Sequence, residues 1–217
     1  MEQEGVIKFK LDFEQTNALP ADNIAELNAW RDVMVQLQMI GQTPMRYDNY
    51  GFGNISRRLH PREKPRYAHP FVITGTQTGG LERLTAVHYA IILDCFPEEN
   101  RVVAEGPMKP SSESMTHGMI YAQNREINWV MHAHEPIIWR HAEALGIPVT
   151  APTVSYGSPE MSAEVVRLFA ETAVYQRGIF TMAGHDDGVV TFGKTAEEAG
   201  QNLLNYLAKG YVIEARD

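Results

Sequence analysis

Two histidines separated by one residue, His132 and His134, form the segment best equipped for chemistry. They end an apolar stretch, NWVMHAH at 128–134, which predicts a β-strand. Side chains two positions apart on a strand project from the same face, so both imidazoles could reach one ion. Imidazole suits zinc and its first-row neighbours. The pair therefore predicts a divalent-metal site, with two ordinary hydrogen-bonded strand histidines as the alternative.

A catalytic zinc keeps about three protein ligands and an open position, so the pair needs a third histidine or a carboxylate. His185 is the best candidate because it lies in a turn, AGHDDGV, between two predicted strands. The alternative is a turn histidine without a ligand. His117 is a weaker candidate, and His141 should point elsewhere because it lies one or two helical turns beyond the pair. Three histidines have no partner motif: His60, His69 and His88.

A second reactive group lies in the segment KPSSE, where Ser111 or Ser112 is expected to cap a helix. Serine hydroxyls and the free N–H groups of a first helical turn can bind an anion. Glu113, in the same turn, could ligate a metal or act as a base beside it. The alternative is an ordinary helix cap followed by an acidic residue.

Two glycine-rich turns, GNIS at 53–56 and GTQTGG at 75–80, could present backbone N–H groups to a phosphate. Neither has the spacing of a P-loop or of the dinucleotide-binding glycine motif. Each turn on its own is more simply interpreted as a tight turn that binds nothing.

The elements that would position these groups alternate between strands and helices. Strands are predicted at 5–13, 71–74, 102–104, 128–134, 179–183 and 188–192. Helices are predicted at 21–40, 111–123, 136–145, 162–177 and 195–209, the last with Thr195 and Glu198 as a capping box. This interleaving predicts an α/β layered fold, and the absence of a linker or repeat favours one domain spanning 1–217.

The composition excludes several classes of function. The 217 residues carry a net charge of −8, which argues against nucleic acid as a partner. We interpret the short basic stretch at 57–66 as a solvated loop. The single cysteine, Cys95, allows no internal disulfide, fits a reducing, cytoplasmic setting and is expected to be buried. The sequence predicts neither a leader peptide nor a membrane span.

The motifs, taken in this order, resemble the class II aldolase/adducin superfamily. The matching segments are GNIS at 53–56, ITGTQTG at 73–79, KPSSE at 109–113 with His117, HAH at 132–134, and a histidine before a glycine at 185–188. The resemblance implies a three-layer α/β/α sandwich around a mostly antiparallel sheet. It also implies a homotetramer with active sites between subunits.

The resemblance further implies the roles of individual residues. His132, His134 and His185 would hold a divalent metal, most simply Zn²⁺, and Glu113 would be the acid/base beside it. Six residues would line a phosphate pocket: Gly53, Asn54, Thr76, Gln77, Ser111 and Ser112. The implied reaction is cleavage of a carbon–carbon bond in a small sugar or sugar phosphate through a metal-stabilised enediolate.

The sequence departs from the family pattern at two places. Family members usually have glycine directly after the third histidine, whereas here Asp186 and Asp187 intervene. Either His185 still binds or Asp187 takes its place, and a complete three-imidazole set favours His185. The second departure is Gln77, where sugar-phosphate aldolases often have glycine, and its side chain is expected to narrow the pocket.

Other reactions and roles remain open at this stage. A dehydratase, a decarboxylase or a 4-epimerase could use the same enolate chemistry, although Glu113 disfavours the epimerases, which typically carry aspartate there. Retention of the histidines argues against a non-catalytic, adducin-like interaction module, and the long helices argue against a cupin-like metal protein. Three tyrosines are candidates for a second proton donor: Tyr156, Tyr206 and Tyr211.

Overall fold

The computed structural model describes residues 5–59 and 69–216. Within these ranges one sheet has eight strands in the order β1-β5-β4-β3-β2-β6-β8-β7. The strands are β1 (Lys10–Gln15), β2 (Asn54–Arg58), β3 (Phe71–Thr74), β4 (Tyr89–Phe96), β5 (Arg101–Gly106), β6 (Trp129–His134), β7 (Ile179–Thr181) and β8 (Gly188–Gly193). Only β1 and β5 pair in parallel among these strands, which confirms the mostly antiparallel sheet.

Helices cover both faces of the sheet. They are α1 (Ala25–Gln36), α2 (Ser114–Gln123), α3 (Pro136–Arg140), α4 (Pro159–Glu171), α5 (Val174–Arg177) and α6 (Ala196–Glu214). The Thr195 hydroxyl accepts from the backbone N–H of Glu198 at 3.1 Å, as a helix cap should. The Glu198 carboxylate bonds to the N–H of Lys194 rather than to that of Thr195, so the predicted capping box is shifted by one residue.

The strands separate two apolar cores. On β6, Met131 and Ala133 pack with the buried faces of α1 and α6, whereas Val130 packs with α2 and α4. This alternation follows from the pleat, which turns successive side chains to opposite faces. The sheet is therefore the middle of three layers, as the resemblance implies. None of the described helices is long and apolar enough to cross a membrane.

Several predicted boundaries are wrong. The helix predicted at 21–40 begins as a 3₁₀ turn and ends at Gln36, because Gln38 adopts a left-handed φ of 59°. The helix predicted at 162–177 is two helices, since Thr172 is extended and its hydroxyl bonds to the carbonyl of Leu168. The helix predicted at 136–145 ends at Arg140, and the chain continues as turns.

The first strand is also displaced. The sequence predicts it at 5–13, but β1 begins at Lys10, where pairing with β5 starts. Residues 5–9 precede the strand, with Gly5 against the side chain of Gln77 and Phe9 buried in the core beneath α2 and α4. The basic stretch predicted as a loop at 57–66 begins at the end of β2, and its residues 60–66, including His60, lie outside the described residues.

Candidate functional site

His132 and His134 lie side by side at the end of β6, where the strand is hydrogen-bonded to β2 and β8. Both side chains are completely buried, and their Nε2 atoms are 3.2 Å apart. The strand therefore presents both imidazoles on one face, as their spacing predicts.

His185 completes a cluster with this pair. It lies in the turn between β7 and β8, and its ring centre is 5.3 Å from that of His132 and 4.7 Å from that of His134. One nitrogen from each of the three rings lies within 4.8 Å of the others. We call these three residues the histidine cluster. Their arrangement could hold a metal ion.

Asp187 lies beside the histidine cluster without belonging to it. Its Oδ2 accepts a hydrogen bond of 2.6 Å from the Tyr47 hydroxyl and lies 3.8 Å from the guanidinium of Arg46. These contacts direct the carboxylate toward Tyr47 and Arg46. The geometry groups His185 with the strand histidines and leaves Asp187 outside.

Burial sets the protonation of the histidine cluster. It lowers the pKa of His132 to about 4 and holds the pKa values of His134 and His185 well below the usual range for histidine. The imidazoles are therefore neutral near neutral pH, as metal ligands must be. The Nδ1–H of His132 donates to the carbonyl of Val189 at 3.3 Å, which leaves Nε2 available to an ion.

Glu113 occupies the N-cap position of α2 and is buried. Its backbone N–H donates to the Ser111 hydroxyl at 3.3 Å. The serines were expected to cap α2, but the chain enters the helix one residue later and Glu113 takes that position. Residues 156–157 link the start of α2 to the histidine cluster. A Cβ on Gly157 would lie 3.1 Å from the Ser112 carbonyl oxygen, so this glycine packs against the start of α2. The ring of its neighbour Tyr156 is 4.7 Å from the His185 ring.

A small pocket lies next to the histidine cluster. It brings together all six residues that the resemblance assigns to a phosphate. We call these six residues and five neighbouring ones the polar pocket. The full lining is Gly5, Gly51, Gly53, Asn54, Gly75, Thr76, Gln77, Thr78, Gly79, Ser111 and Ser112. Asn54 pairs with His132 across β2 and β6, so the pocket and the cluster share a wall.

Gln77 lies across the polar pocket. Its backbone is left-handed, with φ 56°, and its Oε1 accepts a hydrogen bond of 3.0 Å from the N–H of Gly51. The side chain approaches Gly5 so closely that a Cβ there would lie 1.9 Å from its Nε2. Gln77 therefore occupies space that glycine would leave open.

The glycine-rich turn of the pocket contacts Arg31, a residue that the sequence interpretation missed. It is buried on α1, and its guanidinium donates to the carbonyls of Thr78 at 3.1 Å and Leu81 at 2.7 Å. The carbonyl of Thr78 and the N–H of Gly79 belong to the same peptide unit and point in opposite directions. Since the carbonyl faces Arg31, the N–H of Gly79 faces away from it. Its signal was available: Arg31 falls between Leu27 and Met34 on the buried stripe of a predicted helix.

The other candidates lie in different surroundings. Tyr156 is buried against His185, whereas Tyr206 accepts a hydrogen bond from Arg177 and Tyr211 is largely exposed. His117 bonds through Nδ1 to the Ser56 hydroxyl at 2.7 Å, and that hydroxyl is 2.8 Å from the hydroxyl of Tyr121. His141 pairs with Glu214 on the surface. Tyr47 and Arg46, which contact the cluster, have no periodic or motif signal in the sequence.

Known proteins share this fold. A sequence model of the class II aldolase and adducin N-terminal domain matches residues 44–209. No curated protein matches the sequence. Among solved structures, an L-fuculose 1-phosphate aldolase superposes with a TM-score of 0.64 and 19% identity, covering 92% of this chain and 89% of that one.

Two further structures are similar to the same extent. YgbL from Escherichia coli, described as a proposed aldolase, epimerase or decarboxylase, has a TM-score of 0.64 and 17% identity over 91% of this chain and 90% of its own. L-fuculose-1-phosphate aldolase from Thermus thermophilus has a TM-score of 0.63 and 18% identity over 91% and 95%. At these identities the likeness concerns the fold. With the matched domain spanning most of its length, the chain belongs to the class II aldolase and adducin N-terminal domain family.

Proposed function

We propose that this protein is a metal-dependent aldolase that cleaves a carbon–carbon bond in a small sugar phosphate. The observation that carries the proposal is the histidine cluster, three buried imidazoles with donor nitrogens within 4.8 Å of one another. Its position beside the polar pocket, with Asn54 and His132 as cross-strand neighbours, supports a substrate that reaches both.

The donor set fits a divalent cation. Three neutral imidazoles in a buried site suit Zn²⁺ and leave room for a further ligand. When bound, the cation would supply Lewis acidity for the substrate's carbonyl oxygen. His132, His134 and His185 would hold it, with the strand fixing two of the rings and the turn fixing the third.

Glu113 would move the proton. Its carboxylate is buried at the start of α2, close to the polar pocket formed in part by Ser111 and Ser112. In the cleavage direction, the hydroxyl on the carbon that becomes the aldehyde would lose its proton as the carbon–carbon bond breaks, and an oxygen of Glu113 would deliver a proton to the carbon that loses this bond. In the reverse direction it would remove that proton. Burial around it excludes bulk water, which would otherwise compete for the reactive carbon.

The polar pocket would bind the phosphate. Hydroxyls of Thr76, Ser111 and Ser112, the Asn54 amide and the backbone N–H groups of the glycine-rich turn supply neutral donors of the kind that cradle phosphate. The buried Oδ1 of Asn54 has no hydrogen-bond partner among the described residues. This oxygen accepts, so it fits a donor such as a substrate hydroxyl, whereas the Nδ2–H groups of Asn54 are the ones that would donate to a phosphate.

The experiment is a product analysis of the metal-loaded protein with a panel of ketose and aldose phosphates. Two smaller carbonyl products would support the aldolase. Loss of water, release of carbon dioxide or an isomer of unchanged mass would favour instead the dehydratase, decarboxylase or 4-epimerase of the same fold. No turnover with any substrate, together with no metal uptake, would favour a non-catalytic interaction module.

We further infer that the protein works in the cytoplasm as a homotetramer of single-domain subunits. The lone cysteine, Cys95, which is compatible with a reducing compartment, supports the location. Sedimentation of the purified protein tests the assembly: a mass four times that of the 24.4 kDa chain supports it, and a monomer contradicts it.

A further inference from the structure

The two residues that separate His185 from Gly188 are tied to a distant loop. The Tyr47 hydroxyl donates to Oδ2 of Asp187 at 2.6 Å, although the two residues are 140 positions apart. The guanidinium of Arg46 donates to the Tyr47 oxygen at 2.8 Å and lies 3.8 Å from the same Asp187 oxygen. We call Arg46, Tyr47 and Asp187 the latch.

The same residues contact the strand histidines. The Tyr47 ring meets the His134 ring at 4.5 Å in an edge-to-face arrangement, and Arg46 donates to the carbonyl of His134 at 3.1 Å. The carbonyl of Asp187 accepts from the N–H of Glu135 at 2.8 Å. The latch therefore joins the end of β6, which carries two histidines, to the turn that carries the third.

The loop that supplies Tyr47 has an unusual backbone. Three successive residues without a glycine among them, Tyr47, Asp48 and Asn49, have left-handed φ values of 50°, 52° and 64°. Each such residue costs conformational free energy, most of all a bulky one such as tyrosine. Backbone of this kind persists where its surroundings over-determine it, and it clusters at functional sites. The contacts of Tyr47 with Asp187 and His134 are such surroundings.

We propose that the latch is a positioning device that holds His185 beside His132 and His134. The inference rests on the proposed metal-dependent function. His185 lies in a turn rather than on a strand, and Asp187, two residues further along the same turn, is a rival metal ligand close to the histidine cluster. The hydrogen bond from Tyr47 and the charge of Arg46 anchor this turn, and both engage the Asp187 carboxylate, which is then less available to the ion.

The test measures Zn²⁺ affinity of the full-length, metal-free protein by competition with a chelator. Tyr47→Phe removes only the hydroxyl, and Tyr175→Phe, at a tyrosine on α5 whose hydroxyl donates to the Glu126 carboxylate at 2.7 Å, is its matched control. Asp187→Ala removes the carboxylate, and Asp186→Ala, at the exposed neighbour in the same turn, is its control. Outer partners of metal ligands typically contribute about tenfold or more in affinity, so Tyr47→Phe and Asp187→Ala should each weaken binding by about tenfold while the controls change it little.

Two features separate positioning from general stability. The double variant, Tyr47→Phe with Asp187→Ala, should bind Zn²⁺ no more weakly than whichever single variant has the lower affinity. The reason is that both changes remove the same hydrogen bond. The absorption spectrum of bound Co²⁺ should change in Tyr47→Phe and not in Tyr175→Phe. If Asp187→Ala unfolds the metal-free protein, Tyr47→Phe decides the matter, since it leaves the backbone and ring unchanged.

The outcomes distinguish the latch from the function on which it rests. A parent protein that binds Zn²⁺, with both latch variants binding equally well, would overturn the latch and leave the proposed function standing. A parent protein that takes up no divalent metal would contradict the proposed function and the latch with it.

Discussion

The histidine cluster and the polar pocket share a wall but are held in place by different means. Two of the three histidines lie on a central strand, where β6 is hydrogen-bonded to β2 and β8 on both sides. Apart from Asn54 on β2, the pocket is built from loops, and its glycine-rich turn accepts hydrogen bonds from Arg31, which lies on a helix 47 residues away in sequence. The sheet provides a rigid base for the two strand histidines, whereas His185 on its turn and the residues of the pocket depend on single side chains.

This difference suggests a division of labour. Groups that would hold a metal need fixed distances, which a hydrogen-bonded ladder supplies. Groups that would bind the substrate can differ between relatives with less risk to the fold, because they lie on loops. Gln77, whose side chain fills part of the pocket, lies on such a loop. We therefore expect changes in the cluster to abolish turnover and changes in the pocket to alter substrate binding.

Metal removal should have the largest effect. Dialysis against a chelator should reduce turnover by about 10³-fold or more, which corresponds to about 4 kcal/mol of transition-state stabilisation. Addition of Zn²⁺, Mn²⁺ or Co²⁺ should restore it. Full activity in metal-free protein would break the comparison, because the cluster would then have no greater importance than the pocket.

Replacement of Glu113 by glutamine should have the next largest effect. The amide keeps the size of the side chain but cannot accept the proton, so we expect kcat to fall by about 10³-fold, within the range for general acid–base catalysis. KM and metal content should change little. Glu143→Gln, in the turns that follow α3, is the control. An unchanged kcat would exclude Glu113 as the proton carrier.

The pH dependence of stability should separate the two regions. The residues that line the pocket are uncharged, whereas burial lowers the pKa of His132 to about 4. A histidine in the unfolded chain has a pKa of about 6.5. Below that pH the unfolded state binds a proton that the folded state does not, so the metal-free protein loses stability as the pH falls towards 4. The loss is about 3 kcal/mol for this one residue, at about 1.4 kcal/mol per pH unit.

Urea unfolding of the metal-free protein between those pH values measures this loss. His141→Gln, which changes a surface histidine paired with Glu214, should keep the same dependence. A free energy of unfolding that does not vary with pH over this range would mean that the cluster is not buried in a neutral form.

Ser112→Ala should have the smallest effect and sharpen the comparison from the side of the pocket. Loss of one hydrogen bond to a charged group costs about 1.5–3 kcal/mol, so KM for a phosphorylated substrate should rise by about tenfold or more. We expect kcat and metal affinity to stay the same. Ser162→Ala, at a buried serine on α4 whose hydroxyl has no hydrogen-bond partner among the described residues, is the matched control. A fall in kcat without a change in KM would contradict the binding role.

The fold was predictable where its elements have a clear period. The strand of His132 and His134 and the strand Phe71–Thr74 match their predictions closely, because apolar runs bounded by polar turns identify them. The end of α2 at Gln123 and the cap of α6 at Thr195 were predicted, but other helix ends were not, since they depend on single residues such as Gln38, with its left-handed backbone, and Thr172, whose hydroxyl bonds to the preceding turn.

The spatial grouping of the candidate site residues was predictable, whereas the residues that support them were not. The order of motifs brought together the three histidines and the six pocket residues, and the structure places each group in one location. Arg31, Tyr47 and Arg46 were missed because their roles come from contacts across 47 to 140 residues of sequence. Local patterns carry no information about such distances. Of the three, only Arg31 is indicated by the sequence, as a charged residue on the buried face of a predicted helix.

The most direct test of the central claim is anomalous X-ray diffraction from crystals of the protein loaded with Zn²⁺. The account predicts one peak per chain, at about 2.0–2.1 Å from one nitrogen of each of His132, His134 and His185. A peak bound by Asp187 in place of His185, or no peak at the histidine cluster, would contradict it.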